Sequence, residues 1–580
     1  MPHYTAPLDH IDFILKNILG TPNILPNLTG YAEATEDTVE AILNEGAKIA
    51  QDVLFPLNQI GDKEGCRLEN GKVITPTGFK DAYQIFTQGG WTAVSCDPQY
   101  GGMGLPHVVN LALQEIFSSA NMAFAMYAGL SQGAYDALHQ HGTDWQKQTY
   151  LPKLIDGSWS GTMCLTEPHC GTDLGLIRTK AVPVGDDEYA ITGTKIFISA
   201  GDHDLTDNII HLVLARLPDA PKGVGGISLF AVPKMALDGT SNHVTCGSLE
   251  HKMGIKGSAT AVLNFDQAIG TLVGEPHKGL KAMFTMMNAA RLGVAMQGLG
   301  IAEVSYQNAL SYAKDRLQMR GLKGVVAPEK EADPIIVHPD VRRMLLTMKA
   351  FVEGGRALAY WVGLHLDISQ HADNPQTRQD SDDLVALMTP ILKAYLTDMG
   401  TECANLAIQI YGGHGYIWEH GVEQYARDAR IAQIYEGTNG IQALDLVGRK
   451  MGANFGRNLR QFFHPVSNYI TRHSDNADMM EFIVPLSKAF AKLQQATGLI
   501  AEKGLKDPNE GAAASVDYLR LFALTAMAYM WCQMVEKSDS PHTKKTARFF
   551  MMRMLPEMDA RFKMITAGAA SLMDMDVEGF

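Results

Sequence analysis

Cysteine is scarce and poorly spaced for chemistry. The 580 residues hold seven, at positions 66, 96, 164, 170, 246, 403 and 532. That is an odd count with no CxxC pair, which argues against a disulfide framework and a cysteine zinc site and favours reduced thiols. Charge is sparse as well, at 19% of residues, and the net charge of −14 is spread without any block of one sign. Such a surface does not suit a polyanion, so nucleic acid is not an expected partner. Uninterrupted apolar runs are missing. The two longest are cut by Arg291 and by Asp517 and Arg520, so no membrane span is expected. The N-terminus carries Asp9, His10 and Asp12 where a signal peptide needs a basic start and an apolar stretch. Together these absences predict a soluble, cytoplasmic protein.

Several motif classes are absent too. No GxGxxG lies between a strand and a helix, which removes support for a dinucleotide fold. The 19 histidines show no HExxH or other ligand spacing, and no metal is expected. Gly129–Gly133 reads GLSQG, matching the GxSxG of a hydrolase elbow. That elbow needs a strand before the serine, and the preceding residues 121–128 read as helix, so a hydrolase is rejected.

What is present is texture that changes along the chain. Residues 1–160 read as helical, with Val39, Ile42, Leu43, Ile49, Val53 and Leu54 at helical spacing and a second run over 108–137. Short β-branched runs follow at 180–184, 189–198, 208–217, 227–232, 261–265 and 271–273, separated by Gly, Pro and Asp. Helical texture returns at 279, with runs over 283–313, 339–371 and 383–410, and a polar loop over 321–338. After Gly456 further helices are predicted over 482–503, 512–537 and 542–572. The domains predicted are therefore 1–160 (helical), 161–278 (β), 279–455 (helical) and 456–580 (a helical extension), an α+β architecture.

Two segments ask for more than packing. Met163–Leu174 (MCLTEPHCGTDL) sets Thr166, Glu167, Thr172 and Asp173 around a Pro and a Gly, in a loop able to offer hydroxyls and backbone N–H groups to a ligand. Arg427–Gln442 (RDARIAQIYEGTNGIQ) places Glu436 after an apolar pair. A Gly-Thr-Asn turn follows that can cap a helix from Ile441. A carboxylate in such surroundings is a candidate base.

These segments resemble the acyl-CoA dehydrogenase family. Its pattern [YF]-x-[LVI]-T-E-P-x-x-G-[ST]-D is met over 165–173, with Met163 in place of the leading aromatic. Its pattern R-D-x-[RK]-I-x-x-I-Y-E-G-T-N-x-I-Q is met over 427–442. Two more, Q-[IL]-x-G-G-x-G-[YF] and G-x-K-x-[WF]-I-[ST]-x-[GA], appear as Gln409–Tyr416 and Gly193–Gly201. The likeness covers residues 35–450. The leader and the extension resemble the larger bacterial branch, which includes 3-methylmercaptopropionyl-CoA and some fatty acyl-CoA dehydrogenases.

The resemblance implies a helical N-terminal domain, a β-barrel-like middle domain and a C-terminal four-helix bundle, with an extra helical extension here. It also implies FAD, an acyl-CoA substrate, an electron-transfer flavoprotein as electron acceptor, and a homodimer or larger homo-oligomer. Glu436 matches the family's catalytic base; where some relatives place the base before the Arg matched by Arg291, this chain has Ala290. Leu165, Thr166, Phe197 and Ser199 are implied around the flavin ring, Phe197 standing where many relatives have Trp. Thr172 and Arg291 are implied on the CoA side. Thr438 and Gly440 are implied at the cofactor phosphates, with Gly440 replacing the usual Gln. Gln409, Gly412 and Gly413 match residues touching the neighbouring subunit's FAD. Relatives carry R-x-x-F-G where this chain reads Arg316-Leu-Gln-Met-Arg-Gly321. Arg316 aligns best with the pyrophosphate-binding arginine, and Arg320 competes for that role. An acyl-CoA oxidase using dioxygen and a non-catalytic helical scaffold are the alternatives; Glu436 and the intact loop weigh against the scaffold.

Overall fold

A computed structural model describes residues 2–580. Its contacts divide the chain into two units. One comprises residues 45–105 and 116–293, the other residues 1–44, 106–115 and 294–580.

The first unit is built on seven strands of one sheet. A separate hairpin, β1 (Arg67–Glu69) with β2 (Lys72–Ile74), precedes them. The sheet comprises β3 (Trp159–Cys164), β4 (Lys180–Pro183), β5 (Glu188–Ser199), β6 (Asn208–Arg216), β7 (Ile227–Pro233), β8 (Val244–Leu249) and β9 (Thr260–Val273). Its order is β3-β6-β4-β5-β9-β7, and β7 also pairs with β6, so the sheet closes on itself as a barrel. Closure removes most of the free edges an open sheet would expose, leaving β3 and β8 each paired with one strand. Inward residues Ile191, Val213, Phe230, Val232, Leu263 and Phe265 fill its interior.

The strand expectations need correction in four places. The runs at 261–265 and 271–273 are one strand, β9. β8 and the β1–β2 hairpin were not expected, the latter inside the region read as helical. β3 was also unforeseen: Trp-Ser-Gly-Thr-Met-Cys shows no alternation because most of its residues are buried. In the same unit, the helical segment around Gly129–Gly133 confirms that GLSQG sits on a helix. That helix breaks at Asn121 (φ −158°, ψ 89°). The Asn121 side chain accepts from Phe124 N at 3.0 Å and donates to Leu54 O at 3.1 Å. It therefore caps the second segment from within.

The second unit is helical. Pro339–His371 and Pro375–Tyr411 pack side by side. Gly298 and Gly400 let two backbones touch: a Cβ on Gly298 would lie 2.5 Å from Leu396 O, and one on Gly400 would lie 2.4 Å from Gly298 O. The extension contributes Arg457–Arg472, Met480–Lys506 and Pro508–Lys537. The single run expected over 542–572 is instead broken into Pro541–Phe549, continued by a π-helical turn over Phe550–Met554, then Glu557–Ala567 and Ala570–Met573. Pro556 stands at the second helix's N-cap, and Gly568 (φ +77°) ends it.

Two buried polar centres tie this unit together. Arg356 bonds Glu115 and Glu303, each at 2.6 Å, and donates to His10 Nδ1 at 2.8 Å, while Tyr360 donates to Glu115 at 2.6 Å. Burial, then the neighbouring Arg356 charge, holds His10 well below its ordinary pKa, so it accepts as a neutral ring. Elsewhere, Asp367 accepts from the backbone of His107 (2.6 Å) and Val108 (3.0 Å) and from the Tyr31 hydroxyl (3.0 Å). It thus caps a helix start from a distant helix.

Candidate active site

Four of the expected flavin residues meet at one place on the barrel. Along β5 and β9, Lys195 faces Leu263 and Ile198 faces Ala261, so Ile196 and Phe197 form a bulge. Phe197 takes φ +57° and is 60% exposed. A bulky residue in the left-handed region is costly, and such strain marks functional positions. The loop carrying Leu165 and Thr166 docks beside the bulge: Ile196 N donates to Thr166 O at 2.9 Å, and Lys195 Nζ to Leu165 O at 3.0 Å. Ser199 ends the same strand. Thr172 lies exposed further along the loop.

The lock on this loop was not assigned from sequence. The Glu167 carboxylate accepts from Lys195 Nζ (2.9 Å), Arg178 N (2.7 Å), Thr179 N (3.0 Å) and the Thr179 hydroxyl (2.7 Å). Both Glu167 and Lys195 are buried. Burial works to raise the Glu167 pKa; the Lys195 ammonium and the donors outweigh it and hold the carboxyl below its ordinary value. The available signal was Lys195 itself, a charged residue directly before the apolar Ile196-Phe197-Ile198 of its strand. Glu167, His169 and Cys170 also bring ligand atoms within 4.8 Å of one another. A cation there would face the Lys195 ammonium.

Glu436 is half-buried and takes φ +57°, with Gly437 following at φ +84°. The helix after it starts at Asn439, two residues earlier than expected. Thr438 holds the N-cap position yet forms no side-chain cap bond, which corrects the expected capping by this turn. Asn439 instead points its amide at Pro375–Tyr411, donating to Asp398 at 2.7 Å and Thr397 Oγ1 at 3.0 Å. Lys393 donates to Gly437 O at 2.8 Å and Asn439 Oδ1 at 2.9 Å. Tyr435 donates to Gln297, and burial, then the Glu436 charge, drives its phenol pKa up. Gly440 is exposed, and a Cβ there would meet nothing within 4 Å.

Of the remaining expected residues, Gln409, Gly412, Gly413 and Arg316 lie at one corner of the helical unit, and Arg291 belongs to the first unit. Gln409, Gly412 and Gly413 are exposed at the end of Pro375–Tyr411, with Gly412 at φ +60°. Tyr312 stacks on Tyr411 at 4.0 Å between ring centroids and shares a 2.9 Å hydrogen bond with His414. Arg316 N bonds Tyr312 O at 2.8 Å, placing Arg316 at this same corner with its side chain exposed. Arg320 is committed elsewhere, to Ala327 O (3.0 Å), Lys330 O (2.6 Å) and Asp333. Arg291 is buried, with Asn288 at 3.3 Å and the Phe284 ring 6.0 Å away.

Family models for acyl-CoA dehydrogenases match in chain order: the N-terminal domain over 67–158, the middle domain over 162–268 and the C-terminal domain over 277–451. An acetyl-CoA dehydrogenase C-terminal-like model matches 462–576. The chain belongs to the acyl-CoA dehydrogenase family. It is 44% identical to a 3-methylmercaptopropionyl-CoA dehydrogenase of Ruegeria pomeroyi, over 98% of this chain and 99% of that one. Among solved structures, Caenorhabditis elegans ACDH-11 in complex with C11-CoA aligns with a TM-score of 0.83 at 20% identity, covering 99% of this chain and 96% of that one. A Bacillus anthracis acyl-CoA dehydrogenase complexed with FAD aligns at 0.76 and 21%, covering 94% and 90%. These two likenesses establish the fold. The family carries oxidoreductases, which agrees with the enzyme expected from the motifs. Among the described residues no helix is long and apolar enough to cross a membrane.

Proposed function

We propose that this chain catalyses FAD-dependent α,β-dehydrogenation of an acyl-CoA thioester to the trans-2-enoyl-CoA, with Glu436 as the base. The observation that carries the reading is the Glu436 turn: an acid at φ +57° with polar bonds on both sides, directly ahead of a helix. The α-proton of a thioester is weakly acidic, so the protein's main task is to fix a carboxylate against it. Glu436 would accept that proton as the α C–H bond breaks and the C=C bond forms. Its backbone N–H is assigned to the thioester carbonyl, where enolate-like charge develops.

FAD, when bound, supplies the acceptor for the β-hydrogen and its electron pair. The outward Phe197 ring beside the Thr166 carbonyl and Ser199 suits a flat aromatic cofactor. Leu165 completes that face. Thr438 and Gly440 are assigned to the phosphates, and Thr172 and Arg291 to CoA. Arg316, Gln409, Gly412 and Gly413 are assigned to the FAD of a second copy, which makes the enzyme at least a homodimer. The 44% identity to the Ruegeria pomeroyi relative, over 98% of this chain and 99% of that one, supports 3-methylmercaptopropionyl-CoA as substrate, with fatty acyl-CoA as the alternative. Electrons would pass to an electron-transfer flavoprotein in the cytoplasm; peroxide released during turnover would mark an oxidase instead.

Glu436→Gln keeps the size and the backbone N–H and removes the proton acceptor. FAD and acyl-CoA should still bind, while single-turnover flavin bleaching slows by at least about a hundredfold. Bleaching at nearly the parental rate would overturn Glu436 as the base. Running the parent enzyme across an acyl-CoA panel that includes 3-methylmercaptopropionyl-CoA tests the substrate.

A further inference from the structure

The base turn carries an unusual load. Glu436 and Gly437 are consecutive residues with positive φ, and only the second is a glycine. A non-glycine residue stays in that region only when its surroundings over-determine it. Here the bonds that do so converge on one helix. Gln433, three residues before the base, donates to Asp398 at 2.7 Å. Asn439, three residues after it, donates to the same Asp398 oxygen at 2.7 Å. Between them Lys393 bonds the Gly437 carbonyl and the Asn439 amide oxygen. The segment 393–398 of Pro375–Tyr411 therefore staples the turn on both flanks and at its centre. Gln442 holds the carbonyls of Glu436 (3.1 Å) and Gly437 (3.2 Å) from the following helix.

Lys393 is fully buried in an apolar run, Ile391-Leu-Lys-Ala-Tyr-Leu396. Taking an ammonium out of water is costly, and a leucine or methionine would pack this helix without that cost. A lysine here is explained by what its Nζ reaches.

We propose that Lys393 is a positioning residue for the reaction: its ammonium fixes the left-handed Glu436–Gly437 turn and so sets where the Glu436 carboxylate and backbone N–H lie. This rests on the reading of Glu436 as the base. The effect is geometric, acting on the rate of proton abstraction, and FAD binding and acyl-CoA affinity are left largely intact.

The test uses the full-length FAD-loaded enzyme. In Lys393→Met, flavin content and affinity for a 3-thiaacyl-CoA should stay near those of the parent. Single-turnover bleaching by butyryl-CoA or 3-methylmercaptopropionyl-CoA should slow by about a hundredfold, as expected for displacing a reacting group by about 1 Å. A 3-thiaacyl-CoA can lose its α-proton but no β-hydride, so its long-wavelength charge-transfer band reports deprotonation alone. That band should weaken in Lys393→Met and recover in Lys393→Arg. Thr389→Val, on the same helix but bonding only Val385 O, should bleach at the parental rate. Parental bleaching and an undiminished band in Lys393→Met would overturn the proposal. If that variant does not fold, Gln442→Leu releases the turn from the other side, and parental behaviour there overturns it equally. Parental bleaching in Glu436→Gln would instead remove the base assignment itself, a separate failure.

Discussion

Phe197 and Glu436 belong to different units, one on a barrel strand and the other between helices, yet both sit at φ +57°. Each lies close to a bond made by a fully buried lysine, Lys195 in the first case and Lys393 in the second. The lysines differ in what they hold. Lys195 bonds a buried carboxylate and a loop carbonyl; Lys393 bonds a turn carbonyl and a side-chain amide. The first arrangement is an ion pair on which a loop's attachment depends. The second is an aiming device. Similar local conformations can therefore be held for different ends, and mutation should separate them.

The largest effect is expected at the ion pair. Lys195→Met leaves Glu167 charged and buried, a loss of about 3–5 kcal/mol, so urea unfolding should shift strongly and the protein should purify with little FAD. An unchanged midpoint would erase the contrast with Lys393. Next comes Arg316→Ala, which should weaken FAD binding by about tenfold or more, as losing a charge-assisted bond does. Arg320→Ala should leave FAD retention almost unchanged; the reverse ranking would reassign the pyrophosphate contact. The third effect is on pH. Because the Glu167 pKa is depressed in the folded state, its contribution to stability is present above the ordinary carboxylate range. It is lost as pH falls through the depressed value. Acid titration of unfolding should show this loss in the parent, and Glu167→Gln should flatten it. The smallest effect is at Phe197. Phe197→Gly relieves the left-handed conformation and should stabilise the apoprotein by about 1 kcal/mol, while weakening flavin binding.

The barrel strands with clear β-branched runs, β4 to β7, were legible in the sequence, as were the long helices bounded by Pro or Gly, such as Pro339–His371. β3 and β8 were not: the first is buried on nearly every side, and the second exposes much of its length. The site divides in the same way. Glu436 and the loop over 165–173 carry local motifs and could be read directly. Asn439 falls within the motif over 427–442, but its partners Lys393 and Asp398 lie 46 and 41 residues away in the chain, and their only local mark is a charge among mostly apolar neighbours. Pairwise contacts of that kind have no sequence period to betray them.

The Asp367 cap has a consequence in time. The helix start at His107 waits for a carboxylate 260 residues further along the chain. At roughly 5–20 residues per second of synthesis, that is an interval of about 13–52 s. Through that interval the first N–H groups of His107–His141 must rely on water. The final docking of this helix end therefore cannot precede the synthesis of Asp367, whichever helices have formed before it.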